Sequence, residues 1–202
     1  SNYLDTKQRS LLNAFVSVKK RLTSNLIAEA LIRSEISDVA TIPIMPMIGI
    51  NYNPFSGHDL HLRLVLSRNQ NIPSLNDLYW YPGGNENLLP EISMDSEFGI
   101  DYVFPINKNS IISFAGSIYA SSVKNWIIWL PGDYRYWSPE NIASVYARGV
   151  ELSIKTKGKI GSISYNLTSE YAYARSTNNS ADAKNDGTSD IQLLYVPIHS
   201  VV

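Results

Sequence analysis

Few groups in this chain could do covalent or metal chemistry. Its three histidines are His58, His61 and His199. His58 and His61 are three apart, a spacing that on a strand sends them to opposite faces rather than to one metal. Asp182, Asp186 and Asp190 could hold calcium in a polar loop, but their spacing misses the EF-hand pattern. No HExxH, GxSxG or Walker motif occurs. Cysteine is absent, so neither a disulfide framework nor a cysteine metal site can form. The expectation is no enzyme, no metal and no cofactor. A net charge of −1 gives no reason to expect nucleic acid.

The chain is rich in aromatic side chains, with 13 Tyr, 4 Trp and 5 Phe. Tyr79, Trp80, Tyr81, Trp126, Trp129, Tyr134, Tyr136 and Trp137 fall where strand patterning stops. Large rigid rings give a ligand much contact area at low entropy cost. These eight, with Asn76 and Asp77 beside them, are the candidate ligand contacts. The alternative is that they pack on each other and hold the loops. Tyr52, Phe104, Tyr165, Tyr171 and Tyr173 sit near predicted strand ends, as an interfacial girdle or as ordinary packing.

The elements that must position them read as strands of period two. Strands are predicted over about 8–20, 25–34, 43–53 and 58–68, the last with Leu60, Leu62, Leu64 and Leu66 on one face. A helix is the competing reading of 7–35, where Ala, Leu and Lys are frequent. Further strands follow at 97–104 and 110–120, then around Val150–Lys155 and Ser162–Glu170, with a ninth starting near Ile191. Residues 68–99 hold a loop of roughly two dozen residues, far longer than a hairpin turn. A second long loop is expected at 123–143 and a polar one at 175–189.

The connections alternate between short and long. Transmembrane barrels do this, with short turns on the periplasmic side and long loops outside. Apolar alternation alone does not separate such a barrel from a soluble sandwich, whose polar face is the outer one. No stretch reaches the ~18 apolar residues of a membrane helix.

Motifs in the long loops carry a resemblance. Arg68, Pro73, Leu75, Leu78, Tyr79, Gly84, Asn85, Leu88, Pro90, Glu91, then Glu97-x-Gly99, match the barrel of TonB-dependent outer-membrane receptors. Ser122 to Ile127, then Asn141-Ile142-Ala143 and Ala147-Arg148-Gly149-Val150-Glu151-Leu152, are similar to the next two strands. The resemblance is to the cobalamin and siderophore receptors and covers about 58–175. It implies an all-β, antiparallel up-and-down meander, a section of a transmembrane barrel of about nine strands over 1–202. A plug domain and the C-terminal strands are expected to be absent. It implies uptake of a scarce nutrient complex (cobalamin, siderophore-bound iron or haem) in a Gram-negative outer membrane. The implied partners are the ligand, membrane lipid and the TonB energy transducer acting through a plug. A passive porin or adhesin barrel and a soluble surface-binding β domain are the alternatives.

Arg68, Pro73, Gly84, Asn85, Pro90, Glu91, Glu97, Gly99, Gly149 and Glu151 are expected to be structural. Arg68 is expected to pair with Glu97 or Glu91, and Gly99 and Gly149 to allow close approach between strands. A barrel section with two unpaired edges is also expected to self-associate.

Overall fold

The computed structural model describes residues 4–37, 44–131, 136–185, 187–189, 191–193 and 198–201. The strands are β1 (Leu11–Thr23), β2 (Leu26–Ser37), β3 (Met45–Tyr52), β4 (Asp59–Asn71), β5 (Glu91–Asn107), β6 (Ser110–Pro131), β7 (Trp137–Ile160), β8 (Ile163–Asn178) and β9 (His199–Val201). Two short helices, α1 (Leu75–Tyr79) and α2 (Ala181–Asn185), lie in connections. Among the described residues, nine strands form one antiparallel sheet in chain order, and β1 and β9 each pair with one neighbour only. The sheet is therefore an open meander. The helical alternative for 7–35 gives way to a β1–β2 hairpin, because each strand's alternation is matched by its partner's.

Register turns the period of two into two unlike faces. Ile50, Leu64, Phe98, Ile118 and Val150 form an unbroken row across β3 to β7. On the opposite face the adjacent row reads Asn51, Arg63, Gly99, Ser117 and Glu151. Among the described residues nothing covers the apolar rows: Ile48 is 56% exposed and Ile118 is 55% exposed. The accessible surface is 13634 Å², against about 9500 Å² for a compact globular protein of this mass. A single sheet with a bare apolar face needs an apolar surrounding, since patches of this extent are not left in water.

The buried residues lie elsewhere. Met45, Leu78, Leu88, Val123, Val145 and Ala183 make up the buried apolar set, and all sit at or near the edge where the longer connections emerge. Packing of loops on strand tips supplies what core there is.

Connections 24–25, 53–58, 108–109 and 161–162 leave one edge, and 38–44, 72–90, 132–136 and 179–198 leave the other. The alternation holds, with corrections. The first long loop is 72–90, because β4 and β5 stay paired out to Asn71 and Glu91. The predicted loop at 123–143 is mostly strand: β6 and β7 remain paired out to Pro131 and Trp137. Trp126, Trp129 and Trp137 are thus strand residues. The predicted loop at 175–189 begins inside β8 and carries α2. Strand nine does not start at Ile191. Gln192 makes one isolated bridge to Thr177, and β9 begins at His199, opposite Tyr173. Tyr171 and Tyr173 lie well inside β8, against His199, rather than at its ends. Tyr134, Asp186 and Asp190 lie outside the described residues.

Candidate functional site

The residues singled out for binding converge on the loop edge. Ser74 caps α1, its hydroxyl accepting the Asp77 N–H at 3.1 Å while the Asp77 carboxylate accepts the Ser74 N–H at 2.8 Å. This reciprocal box satisfies two donors that a five-residue helix cannot pair itself. The other Asp77 oxygen accepts the indole N–H of Trp129 at 2.9 Å. One carboxylate thus holds the helix in the 72–90 loop against the extended tip of β6.

The rest of the loop is fastened to the same tip. Gly83 lies so close to the Trp137 carbonyl that any Cβ would collide with it. Gly84 is hemmed in by the backbone of Leu78 and Trp80. Asn85 donates to the Pro139 carbonyl at 3.0 Å and accepts from the Asn87 N–H at 3.0 Å. Asn141 accepts from Leu89 N–H at 2.8 Å and donates to the Leu89 and Asn125 carbonyls at 3.0 and 2.6 Å. Asn125, in the left-handed region at φ 57°, donates to the Pro90 carbonyl at 3.2 Å. Glu91 accepts the Ile127 N–H at 2.8 Å and the Asn71 amide at 2.9 Å.

Among the aromatics, Tyr79 lies under the Lys7 ammonium at 4.6 Å. Trp80, Trp126 and Tyr136 are half-buried. Tyr81 and Trp137 are exposed, at 58% and 47%. Asn76 is exposed, and its carbonyl accepts the Trp80 N–H at 3.1 Å. The structure brings Asp77 and Trp129 together, and sets Tyr136 and Trp137 against Gly83. Asn125 and Asn141 are the positions that composition did not flag as site residues. A Lys-Asn or Asn-Ile pair carries no signal of its own until the register shows that both face the same loop.

The residues expected to be structural divide. Pro73 is buried, and its carbonyl accepts from Arg9 at 2.6 Å. The Arg63 guanidinium lies over Gly99 and pairs with Asp101 at 2.7 Å. Gly149 lets the Tyr119 ring and the Tyr173 carbonyl approach where a Cβ could not fit. Arg68 does not pair with Glu97 or Glu91. It lies in the row of Met94, on the face of Leu64 and Leu66, whereas Glu97 and Glu91 face the other way. It donates instead to the Ile44 carbonyl at 3.0 Å. On the polar face, Arg63, Glu97, Ser117, Glu151 and Glu170 border an open cavity of about 450 Å³.

This arrangement has no nucleophile poised beside a base and, among the described residues, no cluster of metal ligands. It is a platform of loop and strand-tip residues fastened by hydrogen bonds.

A family model described as TonB dependent receptor-like, beta-barrel, matches residues 2–202. The chain is similar to the vitamin B12 transporter BtuB of Vibrio vulnificus, with 35% identity over 100 residues, covering 49% of this chain and 15% of the relative. Its fold is similar to the siderophore receptor PirA from Pseudomonas aeruginosa, with a TM-score of 0.68 and 14% identity, over 87% of this chain and 33% of that one. It is also similar to the copper transporter OprC, with a TM-score of 0.73 and 14% identity, over 96% of this chain and 31% of that one. The chain thus spans a third or less of the length of each of these three relatives.

Proposed function

The chain belongs to the TonB-dependent receptor-like β-barrel family, and from that membership we propose that this protein imports a scarce nutrient complex, with a vitamin B12-type cobalamin as the first candidate cargo. Its place is the outer membrane of a Gram-negative bacterium. The bare apolar rows then face lipid and the Arg63, Ser117 and Glu151 row faces the lumen, the arrangement that membrane barrels require. The longer connections lie outside, where a ligand arrives. Ferric siderophore and haem are the competing cargoes.

The observation that carries the choice of cargo is the 100-residue stretch at 35% identity to a vitamin B12 transporter. Energy for uptake comes from TonB through a plug in the lumen, as family membership leads us to propose. Binding of cyanocobalamin to the receptor in outer-membrane vesicles tests the cargo. Tight binding, with uptake lost in a strain lacking TonB, is the expected result. Binding of haem or a ferric catecholate with none of cyanocobalamin would overturn the cargo. Cyanocobalamin entry that persists without TonB would indicate the passive porin instead.

A further inference from the structure

Beyond the platform lies a second feature of the loop edge. The tips of β6 and β7, with Thr188, Ile191, Gln192 and Leu193, border an open cavity of about 500 Å³. That is within the range of small-molecule sites. Its walls are mostly apolar, with Ile128, Leu130, Trp137, Ile142 and Leu193 among them. Among the described residues no charged side chain lines it.

Apart from the Thr188 hydroxyl, which can donate or accept, the polar side chains at the cavity are biased in one direction. The Asn178 side-chain oxygen accepts the Ser180 N–H at 3.0 Å, and the Gln192 oxygen accepts the Ser176 N–H at 2.9 Å. Those two bonds set which end of each amide is the oxygen and leave its NH₂ group as the free end. Gln192 Nε2 is buried and has no partner. Asn178 Nδ2 and the Trp137 indole N–H also make no hydrogen bond among the described residues. Trp129, by contrast, already gives its N–H to Asp77. Donors predominate at this site, and a buried donor without an acceptor is disfavoured. The terminal torsion of a glutamine is broad, so the Gln192 amide can turn toward an acceptor that enters.

We infer that this cavity is a binding subsite for a neutral, largely apolar ring system carrying hydrogen-bond acceptors at its edge. Trp137, exposed at the cavity, offers a face for stacking, and the amides of Asn178 and Gln192 supply the donors. This deepens the proposed uptake function and rests on it, since the ring system belongs to the imported cargo.

The test uses the receptor in detergent with three probes: cyanocobalamin, haem and a ferric catecholate. Asn178→Asp with Gln192→Glu keeps the two oxygens that hold Ser180 and Ser176 and turns both free donors into acceptors. Leu193→Trp fills the cavity without adding charge. Heat-modifiable migration on a gel confirms that each variant folds. The expected result is at least tenfold weaker binding, in both variants, of whichever probe the unaltered receptor binds. A bound probe whose affinity moves less than twofold in both variants overturns the subsite and leaves the uptake function standing. Binding of none of the three by the unaltered receptor overturns the uptake function, and the subsite with it.

Discussion

Asp77 and Trp129 are joined by a 2.9 Å hydrogen bond across two elements that are far apart in sequence. The same carboxylate closes the capping box of α1. The loop's only described helix and the longest strand pair therefore share one anchor. Asp77→Ala removes both roles. Loss of a helix cap costs about 1 kcal/mol, and the freed indole loses an acceptor as well. We expect faster amide exchange at Leu78 and Trp80 and a shifted Trp emission. Asp77→Asn, which keeps an oxygen for either partner, should give a smaller effect. Exchange rates unchanged in Asp77→Ala would show that the loop is held elsewhere.

Glu91 bridges β4, β5 and the β6 tip through Asn71 and Ile127. Glu91→Ala leaves the Ile127 N–H without its acceptor, a penalty of about 1–3 kcal/mol for a buried donor. The half-buried site puts the expected value at the lower end. Hydrogen exchange at Ile127 should rise about tenfold while exchange at Ile118, in mid-strand, stays the same. Equal change at both positions would contradict a local role.

Gly149 and Gly49 make a matched pair of tests. A Cβ on Gly149 would collide with the Tyr173 carbonyl and the Tyr119 ring, whereas on Gly49 it meets only Glu29 Cβ at 3.9 Å. Gly149→Val should sharply lower the yield of folded barrel, and Gly49→Ala should leave it near normal. Folded yield is read from heat-modifiable migration. Comparable yields would show that the Tyr119 contact is not required.

The 202-residue chain taken alone has its apolar face uncovered and its end strands half-paired. The residues of β1 are exposed on both faces, with Phe15 at 69% and Val16 at 71%. Unpaired edges and bare apolar area both drive association. In detergent-free buffer the chain should sediment as an oligomer or aggregate. A compact monomer with freely exchanging edge amides would contradict the reading of an open sheet with a bare apolar face.

Much of this was legible before the structure. Leu60 to Leu66 and Phe98 to Phe104 reveal strands because a large apolar residue holds every second position. The β6–β7 tips were not legible. Lys124 to Pro131 mixes large rings with Lys124 and Asn125, and the left-handed Asn125 interrupts the period just where the strand continues. The capping box at Ser74 and Asp77 was present in the sequence and would have marked α1. Arg68 shows the opposite failure. Its even spacing from Leu64 and Leu66 already assigns it to the apolar face, so parity alone excludes the pair with Glu97. The joint role of Asn125 and Asn141 needed the register, because no local pattern says that two asparagines so far apart hold one loop.

The central claim is that, from Ile112 to Tyr119, the even-numbered face of β6 meets lipid and the odd-numbered face meets the wet lumen. The chain has no cysteine, so single-cysteine variants from Ile112 to Tyr119, Gly116 omitted, can each carry a spin label in the receptor reconstituted into lipid vesicles. Collision with dissolved oxygen and with a water-soluble nickel chelate is then measured position by position. Labels at 112, 114 and 118 should favour oxygen, and labels at 113, 115, 117 and 119 should favour the nickel chelate. An absence of this period of two, or its reversal, would contradict the account.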